Sequence, residues 1–225
     1  MELTPGHPPV GPVDTVVFDY GGVLTNPLPE TFAAFGHRTG IGTADIAKAF
    51  AAATERHGIS PMAELEVAAI TEREFTERLL AELPPGSEAV LGGRPFGELW
   101  FLGRRANDRL VDYARKLRAD GHRIALLTNN VVEWGPRWRA TLPVDELFDA
   151  VVDSSAERVR KPDPELYRRL LDRLGTTAER CLLVDDTAEN CVAAERLGFK
   201  AVLFQDDAQA VRDVDALLAA GAGER

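Results

Sequence analysis

Asp19, Thr128, Asn129, Lys161 and the pair Asp185-Asp186 are the side chains best suited to joint chemistry, because each follows closely on a short apolar run. Carboxylate oxygens are hard donors of the kind Mg²⁺ prefers, and a lysine ammonium is a compact charge suited to phosphate. If the apolar runs are parallel strands, their carboxyl ends open on one edge. Asp19 and Asp185-Asp186 can then share a cation there, with Thr128, Asn129 and Lys161 beside it. Taken singly, each has a plainer role: a turn or cap for Asp19, a dipole-facing pair at a helix start for Asp185-Asp186, a cap for Thr128, a solvated loop position for Lys161. Their order after successive runs favours the joint role.

The elements that must position them read as follows. Thr15-Val-Val-Phe18 is a short β-branched run that stops at Asp19 and Gly21-Gly22. The same pattern returns at Arg123–Thr128, Asp149–Val152, Cys181–Val184 and Lys200–Phe204. Strands apolar on both faces suit a parallel sheet covered by helices. Between them lie helix signals: Asn107 as a start with Gly121 as a stop, Asp163-Pro164 with Gly175, and Thr187 to Leu197 with Gly198. The predicted fold class is α/β, a doubly wound, Rossmann-like parallel sheet. From Asn26 to Arg105 no strand signal occurs, but Ala44–Arg56 stopped by Gly58, and the capping box Thr71-Glu-Arg-Glu74 before Phe75, Leu79, Leu80 and Leu83, read as helices. The division expected is an α/β core of residues 1–25 and 106–225, with a helical cap of residues 26–105 above the carboxyl ends of the strands.

The chain has 225 residues, of which 45% are hydrophobic and 28% charged, as expected of a soluble globular protein. A net charge of −10 repels polyanions, so nucleic acid is not an expected partner. Cys181 and Cys191 are neither C-x-x-C nor grouped with histidines, which argues against a structural zinc and a disulfide framework and favours a reducing, cytoplasmic location. The Pro- and Gly-rich Met1–Asp14 lacks the basic region of a signal peptide. No stretch reads as a membrane span.

Four segments carry a specific resemblance: Val16-Val-Phe-Asp-Tyr-Gly-Gly-Val-Leu-Thr25, Leu126-Leu-Thr-Asn-Asn130, Arg160-Lys-Pro-Asp-Pro164 and Leu183-Val-Asp-Asp-Thr-Ala-Glu-Asn190. Together they resemble the four motifs of the haloacid dehalogenase-like hydrolase superfamily, in its phosphatase-like subgroup with a helical cap after the first motif. The resemblance implies a Mg²⁺-dependent hydrolase of a small phosphorylated metabolite, acting as a monomer or homodimer. Asp19 would be the nucleophile that becomes an aspartyl phosphate. Thr128 and the backbone amide of Asn129 would hold phosphate oxygens, and Lys161 would neutralise phosphate and attacking carboxylate. Mg²⁺ would be held by Asp19, the carbonyl of Gly21 and Asp186, with Asp185 acting through a water or as a further ligand. Asn190 would steady the loop or Lys161.

Gly21 departs from the family pattern. The phosphatase motif is Asp-x-Asp, whose second Asp protonates the leaving oxygen and activates water. The carbonyl ligand survives at Gly21, but the acid/base group, typically worth ~10²–10⁴ in rate, does not. The expected function is a phosphatase that obtains its proton from water or the cap. The alternatives are a catalytically impaired phosphate-ligand binding protein and, behind both, a haloacid dehalogenase, which would lack the paired acidic fourth motif. Without the acid, sugar 1-phosphates, acyl phosphates and aryl phosphates should turn over better than alkyl phosphates.

In the cap, His57, Glu66 and Arg94 could face the cleft, although each reads more readily as an exposed helix or loop residue. Trp100, Phe101, Trp134 and Trp138 read as packing before ligand platforms, and His37 and His122 as structural. A phosphoacceptor receiver is excluded by motif order, since its acidic pair would precede the accepting Asp. A dinucleotide-binding protein is excluded by the lack of G-x-G-x-x-G.

Overall fold

The computed structural model describes residues 13–222. The Pro- and Gly-rich start of the chain, up to residue 12, and residues 223–225 at the end of the expected core lie outside the described residues. Five parallel strands form one sheet: β1 Thr15–Phe18, β2 Arg123–Thr128, β3 Ala150–Asp153, β4 Cys181–Asp185 and β5 Lys200–Leu203, in the order β3-β2-β1-β4-β5. The doubly wound sheet expected from the apolar runs is therefore present. β3 starts one residue later than the sequence suggests, because Asp149 turns its carboxylate back to accept from Ile124 N at 2.8 Å. It ends at Asp153, which stays in register with Thr128.

Alternation along β1 explains why the sheet is covered on both faces. Val16 and Phe18 pack with Ile124, Leu126, Leu182 and Val184 against Leu110, Ala114, Leu117 and Val214. Val17 packs with Ala125, Leu127 and Leu183 against Leu166, Tyr167, Leu170 and Ala194 on the other face. Burying such residues on both sides leaves no solvent-facing alternative register for the central strand.

Six α-helices of the described residues lie between Asn26 and Arg105: α1 Leu28–Thr39, α2 Thr43–His57, α3 Pro61–Glu66, α4 Glu72–Leu80, α5 Ser87–Leu91 and α6 Phe96–Phe101. The Thr71 side chain accepts from Glu74 N at 3.2 Å, as the capping box predicts. Phe35, Ile46, Phe75, Leu79, Phe96 and Leu99 form a separate apolar cluster, which also takes in Val131 and Trp134 from the loop after β2. The outgoing and returning chains run side by side, with Thr25 bridging Ala106, Asn26 N donating to Arg105 O and Asn107 N donating to Leu24 O.

The remaining helices are α7 Asp108–Ala119, α8 Gly135–Arg139, α9 Val144–Leu147, α10 Ser154–Glu157, α11 Pro164–Leu174, α12 Ala188–Arg196 and α13 Asp207–Ala222. Asp163 caps α11 by accepting from Glu165 N, and Gly175 in the left-handed region ends it. Cys181 and Cys191 are buried free thiols. Among the described residues no helix is long and apolar enough to cross a membrane.

Candidate active site

The chain passes from β1 outward through β2 to β3, then returns to place β4 on the other side of β1. The strand order reverses there, and the carboxyl ends of β1 and β4 flank the crevice where open α/β sheets bind ligands. Asp19 leaves β1 with its N–H donating to Val184 O at 2.9 Å, which fixes it beside the Asp185-Asp186 pair. Lys161, from the loop between α10 and α11, reaches the ends of both strands. Its Nζ lies 2.6 Å from Asp19 Oδ1 and 2.6 Å from Asp185 Oδ2, and its side chain is 1% exposed.

Lys161 is itself held. Asn129, just beyond β2, accepts from Lys161 N at 2.8 Å and donates to Lys161 O at 3.1 Å. The second Asp185 oxygen accepts from Thr187 N and from Asn190 Nδ2, each at 2.9 Å, so both oxygens of this fully buried carboxylate are engaged. Burial pushes Lys161 toward its neutral form, but Asp185 and Asp19 outweigh it and hold the ammonium charged. Asp19 moves from 3.8 to about 7, through burial opposed by Lys161 and reinforced by Asp185 and Asp186. Burial, with Asp185 beside it, also raises Asp186.

Asp19, Asp185 and Asp186 each bring a carboxylate oxygen within 4.8 Å of the others. Three carboxylates thus crowd around one buried ammonium, and their all-oxygen donor set fits Mg²⁺. Gly22 makes room for this cluster. It sits at φ 94, and a Cβ there would overlap Asp186 Oδ2. At Gly21 the backbone, with φ −80 and ψ 107, is open to any residue, and among the described residues a Cβ there would meet only the Arg104 side chain, at 2.9 Å from Nη2.

Above this edge lies a cavity of about 690 Å³, within the range of small-molecule sites. Asp19, Gly21, Asn129, Lys161, Asp186 and Asn190 line its floor. Thr128 is fully buried at the end of β2, with Oγ1 3.4 Å from Asn129 O, and is not among the lining residues. Glu66 does line the cavity, contrary to the exposed position its sequence suggests, with Oε2 2.6 Å from Arg160 Nε. Its carboxyl is raised by burial against the pull of Arg160. His57 and Arg94 are exposed and lie outside the lining. Trp100, Phe101 and Trp134 both pack together and face the cavity, whereas Trp138 is wholly core, edge-on to Tyr20.

Arg104 was not visible as a site residue in the sequence. It sits between α6 and α7, where no periodicity marks its direction, and it lines the cavity beside Gly21. The one signal was indirect: a motif position without a side chain leaves space for another group.

A profile of the haloacid dehalogenase-like hydrolases matches residues 13–198. The chain belongs to this family. The solved structure of a predicted haloacid dehalogenase-like family hydrolase from Porphyromonas gingivalis aligns with TM-score 0.67 and 25% identity over 92% of this chain and 98% of that one. A family enzyme from Bacteroides thetaiotaomicron, solved with magnesium and inorganic phosphate, aligns with TM-score 0.62 over 86% and 94% of the two chains. At 19% identity it bears on the fold alone. Among sequence relatives, acyl-CoA dehydrogenase family member 10 of Mus musculus is 32% identical over 90% of this chain, which spans only 19% of that protein. A sesquiterpene phosphatase of Aspergillus oryzae is 30% identical over 45% of this chain and 52% of its own length. The phosphoglycolate phosphatase of Cereibacter sphaeroides is 28% identical over 85% and 84% of the two chains. This haloacid dehalogenase-like hydrolase thus has phosphatases among its relatives, with organic groups of very different polarity in their names.

Proposed function

We propose that the protein is a Mg²⁺-dependent phosphomonoesterase working through an aspartyl phosphate on Asp19, with residues 26–105 acting as its cap. The observation that carries this is the buried Asp19–Lys161–Asp185 array, in which a nucleophilic carboxylate already lies against a cation. An anionic nucleophile must approach an anionic substrate, and preorganised positive charge lowers that barrier. Lys161 Nζ orients Asp19 and faces the incoming phosphoryl oxygens. The backbone amide of Asn129 and the Thr128 hydroxyl are the proposed donors to those oxygens. The Asn129 side chain keeps Lys161 in place.

Asp19, the Gly21 carbonyl and Asp186 would hold the metal, which, when bound, supplies further charge neutralisation at the phosphate. Because both Asp185 oxygens are engaged, action through Lys161 and neighbouring groups suits it better than direct ligation. Gly21 supports a second reading, a binding protein with little turnover, since no carboxylate stands at the proton-donor position. The test is phosphate release from p-nitrophenyl phosphate with and without Mg²⁺, by the parent and by Asp19→Asn. Mg²⁺-dependent release lost in the variant supports the enzyme. No release from the parent, with phosphate-ester binding retained, supports the binding protein.

A further inference from the structure

The cavity is two-sided, and its upper half limits what can be attached to the phosphate. Phe32, Phe50, Met62, Trp100, Phe101 and Trp134 present apolar surface to it. Ser60 and Arg104 also line it, and Glu66 pairs with Arg160 Nε at 2.6 Å. A hydroxyl-rich body would surrender its water hydrogen bonds there and find few replacements, whereas an apolar body loses none. About 690 Å³ also exceeds what a phosphate with a two- or three-carbon polar tail can fill.

We propose that the substrate is the phosphate monoester of an apolar, ring-bearing or branched alcohol or phenol, with its hydrocarbon body against these aromatic side chains. This rests on the phosphomonoesterase reading. The test compares two primary alkyl esters of matched ring size, cyclohexylmethyl phosphate and glucose 6-phosphate, titrated calorimetrically into Asp19→Asn with Mg²⁺. Binding of the cyclohexylmethyl ester at least about tenfold tighter is expected. Equal affinities, the reverse order, or no binding of either overturns the assignment. Phosphate release from the two esters by the parent tests the hydrolytic reading separately, since the variant reads binding without turnover.

A different observation, the space beside Gly21, carries a second inference. A Cβ at Gly21 would lie 2.9 Å from Arg104 Nη2. The guanidinium is fixed from behind, Nη1 donating to Asn26 O at 3.0 Å and to Thr31 Oγ1 at 3.1 Å, and it lies 5.7 Å from the Tyr20 ring and 5.8 Å from that of Trp100. Its buried Nε has no hydrogen-bond partner among the described residues. Burial lowers the Arg104 pKa while Tyr20, Asp19 and Asp186 pull it back, which reflects how closely these charges share one space.

The geometry points to Arg104 as a catalytic residue that stands where the missing acid would reach and stabilises the leaving oxygen by charge instead of by proton transfer. As Asp19 bonds to phosphorus, the electrons of the breaking P–O bond leave on the ester oxygen. Arg104 hydrogen-bonds that oxygen, which takes its proton from water. The help matters most where the leaving oxygen is most basic. Arg104→Met and Arg104→Lys are compared with the parent on p-nitrophenyl and cyclohexylmethyl phosphates. The expected loss for Arg104→Met is about 10²-fold in kcat/KM on the alkyl ester and several-fold less on the aryl ester, with Arg104→Lys restoring part of the difference. Equal losses on both esters, or none, overturn the assignment. A parent that releases phosphate from neither ester contradicts both the assignment and the phosphomonoesterase reading beneath it.

Discussion

The floor of the cavity and its roof are built on opposite physical terms. On the floor, Lys161 and Asp185 are almost entirely out of water and survive there because each polar atom has a partner. The roof is largely aromatic surface, carried by the inserted helices and by Trp134 from the loop after β2, where apolar packing does most of the positioning and Glu72 holds Trp134 by accepting from its Nε1 at 3.0 Å. The contrast teaches that the reactive end is over-determined, so one lost partner strands a charge, while the selective end can vary one contact at a time.

The sharpest way to break that contrast is to remove the Lys161 ammonium from the floor. Lys161→Met leaves Asp19 and Asp185 buried without their shared cation, and urea denaturation should show a loss of about 3–5 kcal/mol along with loss of phosphate release. A loss under about 1 kcal/mol would mean that the floor tolerates change as the roof does. Next comes Gly22→Ala. The left-handed backbone and the Asp186 carboxylate both oppose a Cβ there, so a stability cost of about 1–3 kcal/mol and at least tenfold weaker Mg²⁺ binding by calorimetry are expected.

A pH effect should separate the halves further. The folded-state pKa of Asp19, about 7, lies above its ordinary 3.8, so between those values the folded metal-free protein keeps a proton that the unfolded chain has released. Its stability then falls as pH rises through that window. The melting temperature of the metal-free protein should therefore drop between about pH 4 and about pH 7, Mg²⁺ should raise it more at the upper end, and Asp19→Asn should flatten much of the trend. An unchanged slope in the variant would move the effect to other groups. The smallest expected effect sharpens the boundary of the roof: His57→Ala and Arg94→Ala, both exposed and outside the lining, should change stability by less than about 0.5 kcal/mol and leave kcat/KM as it was.

The same contrast governs what could be read without coordinates. Asp19, Lys161 and Asp185-Asp186 stood out because strand ends are periodic features, and a parallel sheet delivers them to a common edge whatever lies between. α11 was legible from Asp163-Pro164 and Gly175, since caps are local chemistry. α1 was not foreseen. It starts at Leu28-Pro29 and contains Gly36, whose would-be Cβ lies 2.8 Å from Ile41 O, so the close return of the chain just past the helix end explains a residue that helix propensity disfavours. Glu66 and His57 sit at the ends of α3 and α2, and nothing in their spacing tells which one turns inward. Tertiary pairing settles it for Glu66, which Arg160 takes, while Arg78 joins Glu64 and Glu74. Thr128 stands at a strand end as expected, yet it is fully buried and not among the residues that line the cavity, a difference in burial that the sequence pattern does not set.

The most direct test of the account is to quench a single turnover of p-nitrophenyl phosphate with Mg²⁺ in acid and map the phosphoryl group by peptide mass spectrometry. The account predicts a phosphoryl group on Asp19 that forms and decays at the rate of phosphate release. Release with no phosphorylated peptide, or with the group on any other residue, would contradict it.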